Sequence, residues 1–213
     1  MKTRIFLVRH GQTAWNKEKV FRGTIDVPLN DQGFAEARRV GESLESEPVS
    51  FIYTSPLARA VQTAQPLADS TKTEIRNCDG FTDMNFGDWQ GRKLEEIQAE
   101  EPETFGAWME SPQDCIIPNG ETLAQVQRRA LDSWWEITGK HPGETGMVVT
   151  HRVVCKLLIL GLMGLGPEKF WNLRQDTANI NLFAMESGTT VLHRINDTCH
   201  LATLSEGRVT ADF

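Results

Sequence analysis

An arginine, a histidine and a glycine stand together at Arg9-His10-Gly11, directly after the apolar run Ile5-Phe6-Leu7-Val8. A cation, an imidazole and a glycine at the end of a strand have the makings of an anion site. The Arg9 guanidinium can hold phosphate oxygens in pairs, Gly11 lets backbone come close, and the His10 imidazole can attack phosphorus. A second histidine, His151, ends the apolar run Met147-Val148-Val149-Thr150, and Arg59 follows shortly after a third run, Phe51-Ile52-Tyr53-Thr54. Nitrogen-bearing side chains without a cluster of carboxylates suit a phosphoryl dianion better than a divalent metal, which asks for closely spaced His, Cys or acidic ligands. No metal and no other cofactor is expected.

These residues need a scaffold that brings distant strand ends together. Short β-rich runs alternate with longer helical patterns, which predicts an α/β fold: a three-layer sandwich with a mostly parallel central sheet flanked by helices. Strands are expected at residues 3–8, 51–54, 73–76 and 147–150, with a closing hairpin at 180–186 and 189–195 split near Ser187-Gly188. A helix capped by Asn30 or Asp31 runs to about Glu45, with Phe34, Ala37, Val40, Gly41 and Leu44 on one face. Ser55-Pro56 reads as N-cap and first turn of the helix that carries Arg59. Further helices are expected near 92–100, 102–110, 121–139 and 152–163. In a parallel sheet ligands bind beyond the carboxyl ends of strands, so Arg9, His10, Arg59 and His151 would converge on one edge.

The chain of 213 residues, 39% hydrophobic and 24% charged, suits one α/β domain over residues 1–213. Residues about 78–120 are expected to form a lid or insertion over the active site. A formal charge of −7 argues against a general nucleic-acid partner, which would favour a basic chain, yet it leaves room for a local cationic pocket. Cys78, Cys115, Cys155 and Cys199 are scattered, with neither zinc-ligand nor disulfide-framework spacing. The longest apolar stretch, near 153–165, is too short for a membrane span, and no secretory signal is visible. A cytoplasmic protein with no membrane partner is the expectation; the sequence leaves a homodimer open.

Longer motifs reinforce the triplet. Leu7-Val8-Arg9-His10-Gly11-Gln12-Thr13 with Asn16, Asp26-Val27-Pro28-Leu29-Asn30-Asp31-Gln32-Gly33, and Thr54-Ser55-Pro56-Leu57-Ala58-Arg59-Ala60-Val61-Gln62-Thr63-Ala64 occur in that order. They are followed by Asp83-Met84-Asn85-Phe86-Gly87-Asp88-Trp89-Gln90-Gly91 and Val149-Thr150-His151. Together they resemble the histidine phosphatase superfamily, in its phosphoglycerate mutase-like branch. The resemblance implies that His10 is the nucleophile, with Arg9, Arg59 and His151 holding the phosphoryl oxygens. It also implies that Asp83 is the proton donor, and that Asn16, Thr13, Arg22 and Gly23 bind substrate.

Several positions depart from the commoner pattern. Many relatives carry glutamate where Asp83 stands, so the carboxyl here reaches about 1–1.5 Å less far; Asp88 is the second candidate. Arg22-Gly23 replaces a frequent Gln-Gly, and Arg22 either adds positive charge to the pocket or points to solvent. Arg152, where glycine is frequent, either meets an acidic part of the substrate or is a solvated residue of a first helical turn. Trp89 and Trp108 either wall the substrate or pack the insertion. The tail segment Asn196–Leu201 resembles that of metal-independent phosphoserine phosphatases, where His200 would approach a carboxylate; the alternative is a tail covering the pocket edge.

Two enzyme readings and one binding reading follow. The resemblance implies a metal-independent phosphomonoesterase acting on a small phosphorylated metabolite through phosphohistidine at His10, with α-ribazole phosphatases and phosphoserine phosphatases among the similar groups. Phosphoglycerate mutases of the family resemble one another in a longer basic, tyrosine-rich insertion, whereas residues 92–120 here are acidic and the chain has one tyrosine. That favours hydrolysis over phosphoryl transfer to a second hydroxyl. A catalytically weak member that binds a phosphorylated ligand is the third reading.

Overall fold

The computed structural model describes residues 2–204. Six strands form one sheet: β1 (Lys2–Arg9), β2 (Val49–Thr54), β3 (Ile75–Asn77), β4 (Thr145–Thr150), β5 (Ile180–Glu186) and β6 (Thr189–Asp197). Their order is β3-β2-β4-β1-β5-β6. The first four are mutually parallel, and β5 and β6 complete the sheet as an antiparallel hairpin beside β1. Every residue of β4 is buried, as expected of a parallel strand covered on both faces. The β5–β6 turn places Ser187 and Gly188 both at positive φ, +52° and +79°, the conformation a two-residue hairpin loop requires.

Alternation along the strands splits the interior into two cores. Phe6 and Val8 of β1, Ile52 of β2 and Met147 and Val149 of β4 face α2 (Asp31–Leu44) and α3 (Ala58–Thr71). Ile5, Leu7, Phe51 and Val148 face the other side, against α6 (Leu123–Lys140) and α7 (Arg152–Leu162). The expected three layers result. Residues 78–120 add the short helices α4 (Leu94–Glu100) and α5 (Pro102–Glu110), and their Phe86, Trp89 and Trp108 continue the α6–α7 core. With α1 (Ala14–Lys17) just after β1, these are the α-helices among the described residues.

Two local expectations are corrected. Phe34 is 40% exposed; it sits at the margin of the α2 stripe, and Gly33 and Glu36 occupy the buried face instead. Ser55-Pro56 does not open α3, whose N-cap is Leu57. Asp26 Oδ1 accepts from the Ala58 amide at 2.8 Å and supplies the carboxylate that this helix start favours. Asn30 does cap α2, accepting from the Gly33 amide at 2.8 Å.

Candidate active site

The three central parallel strands end level with one another. Arg9 of β1 is opposite Thr150 of β4, and Thr54 of β2 is opposite Val149. The next amides continue the ladder, His10 N to Thr150 O at 2.9 Å and Ser55 N to Val149 O at 3.0 Å. His10, Ser55 and His151 are therefore neighbours at the carboxyl edge, and the His10 and His151 ring centroids lie 5.1 Å apart.

His10 is fully buried. Its Nδ1 lies 2.7 Å from Gly11 O; a carbonyl only accepts, so Nδ1 carries the hydrogen and Nε2 keeps its lone pair. Nε2 is buried with no hydrogen-bond partner among the described residues. Burial, then the charges of Arg59, Arg22 and Arg9, hold the imidazole well below its ordinary value, so it is neutral near pH 7. A neutral imidazole aiming a free lone pair into a cationic surrounding is a competent nucleophile toward phosphorus.

Arg59 organises the opposite wall from α3. Nε donates to His151 Nδ1 at 3.1 Å, Nη1 to Ile25 O at 2.9 Å, and Nη2 to Gly23 O at 2.7 Å and Asp83 Oδ2 at 3.2 Å. The Arg59 bond leaves His151 Nδ1 as acceptor, so His151 Nε2–H donates to Ser55 Oγ at 2.7 Å. Burial, Arg59 and His10 hold His151 well below its ordinary value. Asp83 is buried; its Oδ1 accepts from the Met84 amide at 3.0 Å, and its Oδ2 lies 3.6 Å from His151 Nδ1. Asp88, by contrast, is exposed and accepts from Asn119 at 2.9 Å, which removes it as a second acid.

The remaining expected residues divide. Arg9 Nη1 donates to Gln175 O. Arg22 is 9% exposed, and its Nε and Nη1 have no partner among the described residues; Arg152 is 8% exposed. Both line a cavity with Gly23, Asp83, Phe21 and Phe86, so neither is a solvated surface residue. Gly23 has φ +53°, which lets its carbonyl turn back to Arg59. Thr13 donates from both N and Oγ1 to Asn16 Oδ1 at 2.9 Å, which leaves the Asn16 amide hydrogens as the polar end that can meet a ligand. His200 Nε2 lies 3.0 Å from Ala178 O, and Trp89 and Trp108 are fully packed within the core.

A neutral imidazole, a facing carboxyl and converging guanidiniums suit phosphoryl transfer, and residues 5–198 match the histidine phosphatase superfamily (branch 1). The chain belongs to that superfamily. It is 32% identical to phosphoserine phosphatase 1 of Hydrogenobacter thermophilus, over 93% of this chain and 94% of that protein. It is 31% identical to the metal-independent phosphoserine phosphatase of Arabidopsis thaliana, over 95% and 84% respectively. Bacillus stearothermophilus YhfR shares its fold with a TM-score of 0.90 at 30% identity, covering 93% of this chain and 99% of YhfR. The phosphoglycerate mutase-like architecture expected from the motifs is the one observed.

This histidine phosphatase also uses residues that sequence reasoning missed. Ser55 holds His151. Thr63 Oγ1 accepts from the Gly11 amide at 3.0 Å and donates to Arg59 O at 2.7 Å, tying the nucleophile loop to α3. Glu36, fully buried, accepts from the Gln12 amide at 2.8 Å. Arg129 of α6 donates to Gly80 O, Thr82 O and Asp83 O at 2.9, 2.6 and 3.1 Å, fixing the loop that carries Asp83. The signal available for Thr63 and Ser55 was their place inside the Arg59 motif; Glu36 and Arg129 offered none, being residue types common on helix surfaces.

Proposed function

We propose that the chain is a metal-independent phosphomonoesterase that hydrolyses a small phosphorylated metabolite through a phosphohistidine at His10. The observation that carries this reading is the buried, unpartnered Nε2 of neutral His10 amid Arg9, Arg22 and Arg59. In the first step Nε2 attacks phosphorus, the P–O ester bond breaks, and the departing alkoxide takes a proton from the Asp83 carboxyl. In the second, Asp83 removes a proton from water as that water attacks phosphorus; the P–N bond breaks and phosphate leaves with His10 restored. Arg9, Arg22 and the Asn16 amide hold the phosphoryl oxygens, and His151 joins them when its Nε2–H turns from Ser55 Oγ to the entering phosphoryl group. Four of the five Arg59 N–H groups are engaged with protein, so Arg59 acts first as the organiser of Asp83, His151 and the Gly23 turn, and stabilises transition-state charge from there.

Guanidiniums fill the role that a metal ion plays in other phosphoryl-transfer sites, and the names of the phosphoserine phosphatase relatives support a small phosphate ester as substrate. The test is phosphate release from p-nitrophenyl phosphate and a metabolite panel, in the presence of a chelator, by wild type and His10→Ala. Chelator-resistant release that His10→Ala abolishes is expected. Loss of activity in chelator that added metal restores, or release that persists in His10→Ala, sinks the reading.

A further inference from the structure

Strand β5 lies antiparallel to β1, with Asn181 opposite Leu7, so the irregular loop 173–179 that leads into β5 runs beside the nucleophile segment. Two direct contacts join them. Arg9 Nη1 donates to Gln175 O, and the Ala178 amide donates to His10 O at 3.3 Å. A guanidinium is planar, so a bond that pins Nη1 also sets the direction of the other N–H groups. The Gln175 carbonyl can do this only if the loop itself is held.

A buried pair of side-chain amides holds it. Gln175 Nε2 donates to Asn181 Oδ1 at 3.0 Å, and Asn181 Nδ2 donates to Gln175 Oε1 at 2.8 Å. Both residues are fully buried. The second Gln175 hydrogen goes to Arg174 O at 2.9 Å. Asn181 Nδ2 also lies 3.0 Å from Leu7 O and 2.8 Å from Asn179 Oδ1, and Asn181 Oδ1 accepts from the Asn196 amide at 2.8 Å. Asparagine is a poor strand former, and its strand neighbours Ile180, Leu182 and Phe183 are apolar and buried. An apolar side chain would fill such a position with no hydrogen bonds to satisfy, whereas each bond a buried amide fails to make is costly. The amide at 181 therefore has a polar role. Neither Gln175 nor Asn181 is among the residues that line the cavity.

Resting on the phosphohistidine reading above, we infer that Asn181, through its reciprocal amide pair with Gln175, is a positioning residue for Arg9. It contacts no reacting atom; it fixes the loop carbonyl that orients the guanidinium toward the phosphoryl oxygens. Without the pair, Arg9 stays charged and present but misaimed, and a misplacement of about 1 Å costs on the order of 10²-fold in rate.

The experiment measures vanadate inhibition and kcat/KM on p-nitrophenyl phosphate with the full chain, at a temperature where circular dichroism shows each variant folded. Asn181→Leu is expected to raise the vanadate inhibition constant and to lower kcat/KM, each by about 10–100-fold. Gln175→Met keeps the backbone carbonyl and leaves Asn181 its contacts with Leu7, Asn179 and Asn196. It should shift both quantities in the same direction, and it carries the test if Asn181→Leu does not fold. A lower melting temperature with an unchanged inhibition constant is the mark of a purely structural role and overturns the inference. A double-mutant cycle reads the route: in an Arg9→Lys background the effect of the same substitution should shrink to within about threefold, because residues that act through one another are not additive. Effects that simply multiply overturn the inference. Wild type that releases no phosphate from p-nitrophenyl phosphate instead brings down the phosphatase reading beneath it.

Discussion

Arg129 Nη2 donates to the backbone carbonyl of Asp83 at 3.1 Å, so a residue of α6 that does not itself line the cavity fixes one that does. Its Nε is fixed in turn by Glu121 Oε1 at 2.8 Å. Arg129→Met should lower kcat on alkyl phosphates by about 10–100-fold with a smaller change in KM, since misplacing an acid costs proton transfer more than binding. Arg129→Lys should recover only part, because one ammonium cannot span the carbonyls that the fork reaches. Equal losses on alkyl and activated aryl esters would show a general structural defect instead.

Asp83→Asn isolates the proton itself. The amide keeps the shape but has no acidic proton, and general acid catalysis contributes about 10²–10⁴-fold. Alkyl phosphates, whose alkoxides leave poorly, should slow by that order, whereas p-nitrophenyl phosphate should slow far less in its first step. A burst of p-nitrophenol in rapid-mixing experiments is the measurement, because Asp83 also serves the second step. An equal fall in the burst rate and in alkyl turnover would remove Asp83 from the acid role.

Stability should fall toward acid pH. His10 and His151 are held neutral in the fold, both depressed well below 6.5 chiefly by burial, whereas in the unfolded chain they protonate near about 6.5. Below that pH the unfolded state binds more protons, so each histidine removes up to about 1.4 kcal/mol of stability per pH unit until its folded value is reached. The melting temperature of wild type should therefore drop more steeply between about pH 6.5 and 5 than that of the doubly substituted His10→Gln, His151→Gln chain. Parallel profiles would contradict the neutral assignment.

Gly33→Ala should loosen the nucleophile loop. A Cβ at Gly33 would lie 2.0 Å from Gln12 O, backbone against backbone, with no side-chain rotation to relieve it. A cost of about 1–3 kcal/mol is expected, or about 2–4 °C in melting temperature per kcal/mol for a chain of this size. Phosphate release should fall together with stability, and an unchanged melting temperature would refute the close approach.

The strand-end chemistry was legible because apolar runs fix β1, β2 and β4, and a parallel sheet aligns whatever follows each of them. His10, Arg59 and His151 come together for that reason, although many residues separate them in sequence. Polar groups buried by tertiary packing were not legible. Glu36 lies on the buried side of α2, and Arg129 sits one position before core Ala130, yet residue type alone marks both as solvated. Ser55 resembled a helix cap because Ser-Pro dipeptides often are one; here α3 starts later and the hydroxyl turns to His151. Arg22 and Arg152 had two readings each, since only the surrounding chain decides whether a long cationic stem meets water or a pocket.

The parallel register of β1 and β4 has a practical consequence. A slip of one residue would shift His151 by about 3.3 Å along the strand and turn its buried neighbours to the opposite face. The 5.1 Å spacing of the two imidazoles would not survive it. Recovery of phosphate release after denaturation would thus score correct strand alignment molecule by molecule, giving a refolding assay that needs no dye and no added label.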